Sequence, residues 1–373
     1  PPLDCDDVPG GPPTGGTIYA ADAFPDAMHE SFIAGNFLGH TASWWHVIPE
    51  GSTVRATLAG RLLDSHDTWF GPTDMCLGPD GAMYVSDFHD ERTAHPDPDA
   101  NWDRTNGRIF RIEAVDAVPA RQIEVGQLNS CELVDLLGHR NRWFADRARV
   151  ELASRQDSRV AERLRNMASQ SKDNRLALEG LWALYGVTGI DDLLTLELLS
   201  HPYKYVRYWT VRLIGDKRTA SPAVAKRLAA LADSESSVIV RGQLAASAKR
   251  LPGPTGLKIV NALLENFPHE SDARIPWLIW WAIESKALTD TAPIREMFTD
   301  AVDGDAPVDG AAARRAAGRT RPHAQMACDS CAVMQPRVPT TDTTLVQPCS
   351  TPCPLITRLR HSTICVRVWL SGL

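Results

Sequence analysis

Five arginines recur through the middle of the chain at nearly fixed intervals: Arg147 in ADRA, Arg175 in DNRL, Arg207 in YVRY, Arg241 in IVRG and Arg274 in DARI, with steps of 28, 32, 34 and 33 residues. Around them apolar residues fall at spacings of three and four, as in ELVDLLGHRNRWFADRARVELASR and LLTLELLSHPYKYVRYWTVRLIGDKR. Short turn-like breaks such as HRN and SHP divide each unit into two helices. One such helix pair cannot bury its own apolar face, whereas a row of pairs stacked on one another can. The periodicity therefore restricts this region to a repeat of helix pairs, an α-solenoid.

Five HEAT-like units are expected within residues 130–295, with WLIWWAIESKAL from Trp277 as the buried apolar helix of the last. The recurring arginines and Asp146 read as ties between neighbouring turns, and His139 and His201, in equivalent turns, as capping residues. A concave solenoid face is a surface on which a protein partner can bind.

Ahead of the helices the pattern shortens to strands. GGTIYAADAF from Gly15 and DGAMYVSDFH from Asp80 share a Gly turn, a β-like run and an Asp, with Asp22 and Asp87 in register 65 residues apart. Further strands are expected at 43–48 and 53–58, separated by the PEG turn, and at 107–114. A turn and strand repeated at this distance suggest successive blades of a β-propeller. Two blades fit into this length, a closed propeller needs at least about four, and an isolated pair leaves exposed edges. The chain thus reads as the C-terminal part of a larger protein. The expected organisation is multidomain β plus α, a partial β-propeller followed by a HEAT-like α-solenoid: an unstructured start at 1–14, the last blades at 15–120, the helices at 130–295, and a linker with a poorly ordered Cys/Pro/Thr-rich tail at 300–373.

A net charge of −7 argues against nucleic acid as a partner, and no run approaches the length of a membrane span. Of eight cysteines, three precede residue 328, so no disulfide framework is expected over most of the chain. Cys328 and Cys331 form CDSC and, with Cys349 and Cys353, supply four thiolates, but little in TLVQPCSTPC orders a zinc site. Covalent haem requires CxxCH, and Ala332 stands where the His is needed.

Chemistry-bearing residues concentrate in GPDGAMYVSDFHDERTAHPDPDANWDRTNGRIFRI, residues 78–112. Asp87, His89, Asp90, Arg92, His95, Asp97, Asp99, Asp103, Arg104 and Arg108 suit two readings. They hold a hard cation such as calcium or place a base and an anion clamp around a substrate, or they form a loop fixed by its own salt bridges and Asx turns. Upstream, His40 and His46 flank Trp44 and Trp45, and SHDTWFGPTD adds His66, Asp67, Trp69 and Asp74. That set fits an aromatic wall for a carbohydrate or planar cofactor, and equally residues that stabilise blades. His46 is the general-base candidate, since a near-neutral imidazole can take a hydroxyl proton.

The stretches GPDGAMYVSDF, HPDP with WDRTNGRIFRI, and IPWLIWWAIESKA resemble the planctomycete and verrucomicrobial membrane-bound dehydrogenase family, over roughly residues 15–295. The resemblance implies a quinoprotein-like propeller joined to HEAT-like repeats and usually to a cytochrome c segment. It implies oxidation of a sugar or alcohol with pyrroloquinoline quinone and calcium in the full-length parent, an electron-accepting cytochrome as partner, and a periplasmic or cell-envelope location. Carried onto this sequence, it makes His46, Arg92 and Arg104 catalytic candidates, Asp67, Trp69 and His95 cofactor-binding candidates, and Asp87 and Asp90 metal candidates. The family's haem motif is missing here, so the chain is expected to be inactive as an isolated fragment. The alternative expectation is a noncatalytic propeller and HEAT-repeat interaction scaffold.

Overall fold

Strand-forming runs and tight turns build two sheets side by side in the computed structural model, which describes residues 4–5, 13–89, 107–117, 123–303 and 366–372. The first sheet contains β1 (Asp4–Cys5), β2 (Pro13–Ile18), β3 (Phe32–Asn36), β4 (Thr41–Glu50) and β5 (Thr53–Asp64), in the order β1-β5-β4-β3-β2. Strands β2 to β5 are an antiparallel meander, and β1 lies parallel to β5. The second sheet contains β6 (Pro72–Leu77), β7 (Met83–Asp87), β8 (Arg108–Ala114) and β9 (Val366–Gly372), antiparallel in that order. The strands expected at 43–48, 53–58 and 107–114 lie within β4, β5 and β8. Strands β1 and β9, the first two residues of β2 and the end of the helix at Thr291–Asp303 fall in the segments expected to be unstructured, and the rest of the expected tail lies outside the described residues.

The sheets meet through β2, β3 and β6, with Ile33, Trp44 and Leu62 of the first packed with Phe70, Met83, Val85 and Ile112 of the second neighbourhood. Gly15 makes the approach feasible: its φ is +60°, and a Cβ there would stand 2.7 Å from the Asp74 Cα. Tyr19 crosses the same core, its hydroxyl accepting from the Phe24 N–H at 2.8 Å and donating to the Gly81 carbonyl at 3.1 Å. Burial pushes that hydroxyl's pKa up to about 12.

The two matched passages do not fold alike. Strand β2 stops at Ile18, before Tyr19, while β7 runs through Tyr84 to Asp87, so Asp22 is exposed and Asp87 buried. Pairing with β3 ends at Ile18, four residues short of Asp22, whereas pairing with β8 extends to Asp87 itself.

Eleven α-helices occur among the described residues. They are α1 (Ser130–Leu136), α2 (Arg142–Arg155), α3 (Ala161–Gln170), α4 (Asn174–Val187), α5 (Asp192–Leu198), α6 (Lys204–Lys217), α7 (Pro222–Ser234), α8 (Val238–Ala248), α9 (Gly253–Asn266), α10 (Ile275–Glu284) and α11 (Thr291–Asp303). Local sequence sets several starts. Asn129 and Glu132 form a capping box on α1, Asp173 caps α4, and Ser221 with Pro222 opens α7. Within one compact unit, which holds the described parts of residues 1–286 and β9, α2, α4, α6, α8 and α10 pack successively, as do α3, α5, α7 and α9. Helix α11 belongs to a second unit, residues 287–351.

The arginine series is only partly a structural repeat. Arg207 and Arg241 occupy the same place near the starts of α6 and α8. Arg207 grips buried Glu235 through two bonds of 2.7 and 2.8 Å and its own turn through the His201 carbonyl. Arg241 likewise holds Glu270 and the Ser236 carbonyl, and Arg175 reaches the His139 carbonyl at 2.9 Å. Arg147 instead lies over the Trp143 ring, while Arg149 holds Glu179, and Arg274 is the N-cap of α10. Helix α10 also departs from expectation: Ile279 and Ile283 are buried, but Trp277, Trp280 and Trp281 are exposed. A helix apolar on every side was read as buried, yet only one of its faces meets α8 and α9.

The sheets dock on the edge formed by the turns before α2 and α10. Asn141, 2% exposed, donates from its side-chain amide to the Gly78 and Pro79 carbonyls at 3.0 and 3.1 Å and caps α2 through the Trp143 N–H. At the other end Asp272 accepts from the Ser52 N–H at 2.6 Å and the Ser52 hydroxyl at 2.8 Å. Asn141→Ala removes a cap and leaves two carbonyls without their donor, so chemical unfolding should show a loss of about 2–4 kcal/mol. Asn141→Asp keeps the cap but not the donors and should recover less than half of that loss.

Candidate functional site

Strands β7 and β8 are paired so that Asp87 sits directly opposite Arg108 where their long connection begins and ends. The Asp87 side chain has no exposed surface. One oxygen accepts from the Gly71 and His89 N–H groups at 2.8 and 2.9 Å, and the other from Arg108 Nε at 2.6 Å. Arg108 Nη2 reaches Asp67 at 2.8 Å, and Asp67 accepts from the Trp69 N–H at 2.9 Å. The Trp69 and His89 rings stand 5.5 Å apart, and the guanidinium lies 5.3 Å from the Phe110 ring centre. His89 takes a left-handed backbone, φ +49°. Its Nδ1 is buried without a hydrogen bond among the described residues, 3.8 Å from Asp87.

This corner unites three expected site residues, Asp67, Trp69 and Asp87. His46 is elsewhere: it is exposed on β4, edge-on to Trp44 at 5.1 Å. Trp44 and Trp45, expected either as an aromatic wall or as residues that stabilise blades, are both buried. Alternation along β4 puts the two on opposite faces, both of them packed: Trp44 in the core shared by the sheets and Trp45 with Ala34 and Ala56. Asp90, Arg92, His95 and Arg104 lie outside the described residues.

The corner's chemistry is that of a latch. A calcium site gathers roughly six to eight oxygen ligands, whereas the Asp87 oxygens are occupied by a guanidinium and two backbone donors. Among the described residues no group of three or more His, Cys, Asp or Glu side chains is gathered for a metal. Burial disfavours the charged form of Asp67, but the Trp69 N–H and the Arg108 guanidinium outweigh it and hold its carboxyl below the ordinary carboxylate value. A parallel set stands nearby on the same sheet: Asp80 accepts from Arg111 at 2.7 Å and from the Tyr84 hydroxyl at 3.0 Å.

A second cluster has no counterpart in the sequence reading. Across α2, α4 and α6, Arg149 lies 5.1 Å from the Trp182 ring, Trp182 is edge-on to Trp209 at 5.1 Å, and Arg212 lies 4.9 Å from Trp209. Each Trp was legible as helical, but the 27-residue offset that stacks them follows from helix packing, not from either local run.

Residues 12–116 match a family described as a domain of unknown function (DUF7133). The matched span takes in β2 through β8 and none of the α-helices. Neither the curated proteins nor the solved structures yield a match to the chain.

Arg108→Ala strands a buried carboxylate and should cost about 3–5 kcal/mol in chemical unfolding, with Arg108→Lys recovering part of it. Because the folded-state pKa of Asp67 is depressed, its contribution is present above the unfolded value of about 4 and is lost as pH falls through the folded value. Asp67→Asn should therefore flatten the stability profile below about pH 4 and leave its shape near neutrality unchanged.

Proposed function

We propose that the chain is a noncatalytic interaction scaffold in which end blades of a β-propeller are joined to a HEAT-like α-solenoid. The four-stranded antiparallel meander β2 to β5 within the first sheet and the four-stranded antiparallel second sheet, with β2 and β6 adjacent, support the blade reading, and the successive packing of α2 to α10 in two series supports the solenoid reading. A closed ring needs at least about four blades, so the reading calls for blades beyond these two. The observation that carries the function is the closed corner at Asp87. Its carboxylate and Arg108 serve each other and the backbone, while exposed aromatic and cationic side chains collect on the helices. No helix among the described residues is long and apolar enough to cross a membrane, and a periplasmic or cell-envelope location rests on the family resemblance.

The second reading is a quinone-dependent sugar or alcohol dehydrogenase parent with a cytochrome acceptor, for which this chain supplies one rim. The Nδ1 of His89 beside Trp69, without a hydrogen bond among the described residues, favours it, because that nitrogen can accept a further group. Calorimetric titration of the chain with pyrroloquinoline quinone and calcium separates the readings. The scaffold predicts no heat of binding for either, and saturable binding that Asp67→Asn weakens would replace it with the dehydrogenase.

A further inference from the structure

We propose that the stripe Arg149–Trp182–Trp209–Arg212, crossing α2, α4 and α6, is a docking surface for an extended acidic segment of a partner protein. The inference rests on the scaffold reading and gives it a surface and a partner chemistry. Three observations carry it. The stripe is continuous from helix to helix, each ring or guanidinium meeting the next within 5.1 Å. It is open to solvent, with Arg212 exposed and Trp182 and Trp209 half-buried.

The third is charge. All four carboxylates on these helices are engaged: Asp146 and Glu179 by Arg149, Glu151 by Arg155, and Asp216 by Arg250 and, at 3.9 Å, by Arg212 of the stripe itself. Beside them Arg147 lies over Trp143, Lys204 over Tyr205 and Lys217 over Tyr185, and neither Arg147 nor Lys204 has a carboxylate partner among the described residues. The three helices thus carry nine Lys and Arg against four carboxylates, on a chain whose net charge is −7. Cations held over aromatic faces keep most of their charge available to an incoming carboxylate.

Spacing favours a peptide strand. Neighbouring packed helices stand about 8–10 Å apart, and an extended chain advances about 3.3 Å per residue, so a carboxylate at every third position meets one helix after another. A nucleic acid carries a denser row of charges, and the overall negative field of this chain opposes its approach.

The test is a tryptophan-fluorescence titration of the intact chain at low ionic strength with three synthetic peptides that carry Glu, Gln or Lys at every third position, and with oligo-dT. The Glu peptide should quench emission, bind more weakly as salt rises, and lose at least about tenfold in affinity to the doubly substituted Arg147→Glu, Arg212→Glu chain. Arg163→Glu, on α3, should leave the affinity unchanged, and circular dichroism with melting curves verifies that each variant is folded. Absence of Glu-peptide binding, equal losses in Arg163→Glu and the double variant, or preference for oligo-dT overturns the proposal. Failure here differs from failure of the scaffold reading, which is marked by binding of quinone and calcium.

Discussion

The docking of a hairpin tip onto a helix turn holds the rest of this structure in place. Gly51, at φ +56°, turns β4 into β5 so tightly that a Cβ there would stand 2.4 Å from the Asp272 carboxylate. Asp272 answers by accepting both Ser52 donors while also capping α10 through the Arg274 and Ile275 N–H groups. Burial disfavours its charge, but these backbone and hydroxyl donors prevail and keep its carboxyl below the ordinary value. With Asn141 at the other end of the seam, the sheets are fastened to turns that open the first and last of the second helices. A stack of helix pairs held only by nearest neighbours opens readily at its ends, and the sheets tie those ends together.

That arrangement bears on where function can reside. The edge of the helix row carrying these turns is covered by the sheets, and the corner at Asp87 is saturated by its own bonds. Among the described residues, the face on which α2, α4 and α6 carry aromatic rings under cations stays open, as do the three tryptophans of α10. In the helices acidic side chains work inward, as Glu179 and Glu235 show, each buried and each held by an arginine from a neighbouring pair. Breaking either pair would strand a buried charge, the costly case for an internal ion pair. These two carboxylates thus serve cohesion between the helices.

Much of the framework was legible because period and turn chemistry act locally. The PEG turn between β4 and β5 and the alternation in GRIFRIEA depend on neighbours within a few residues. Side-chain roles were less legible because they are fixed by distant partners. Arg147 and Arg149 are both on α2, and only packing against α4 chooses Arg149 for Glu179. Asp22 and Asp87 share a motif, and only the register with Arg108 makes one of them a latch. The three tryptophans of α10 show the same limit: hydrophobicity gave the helix, but not which face the neighbours would leave uncovered.

The central claim, that the sheets and helices are fastened through the hairpin tip, is tested most directly by a double-mutant cycle with Ser52→Ala and Asp272→Ala, read by chemical unfolding of the four proteins. The account predicts a coupling energy of about 1 kcal/mol or more between the two sites, despite their separation of 220 residues in sequence. Additive effects, agreeing within about 0.3 kcal/mol, would contradict it.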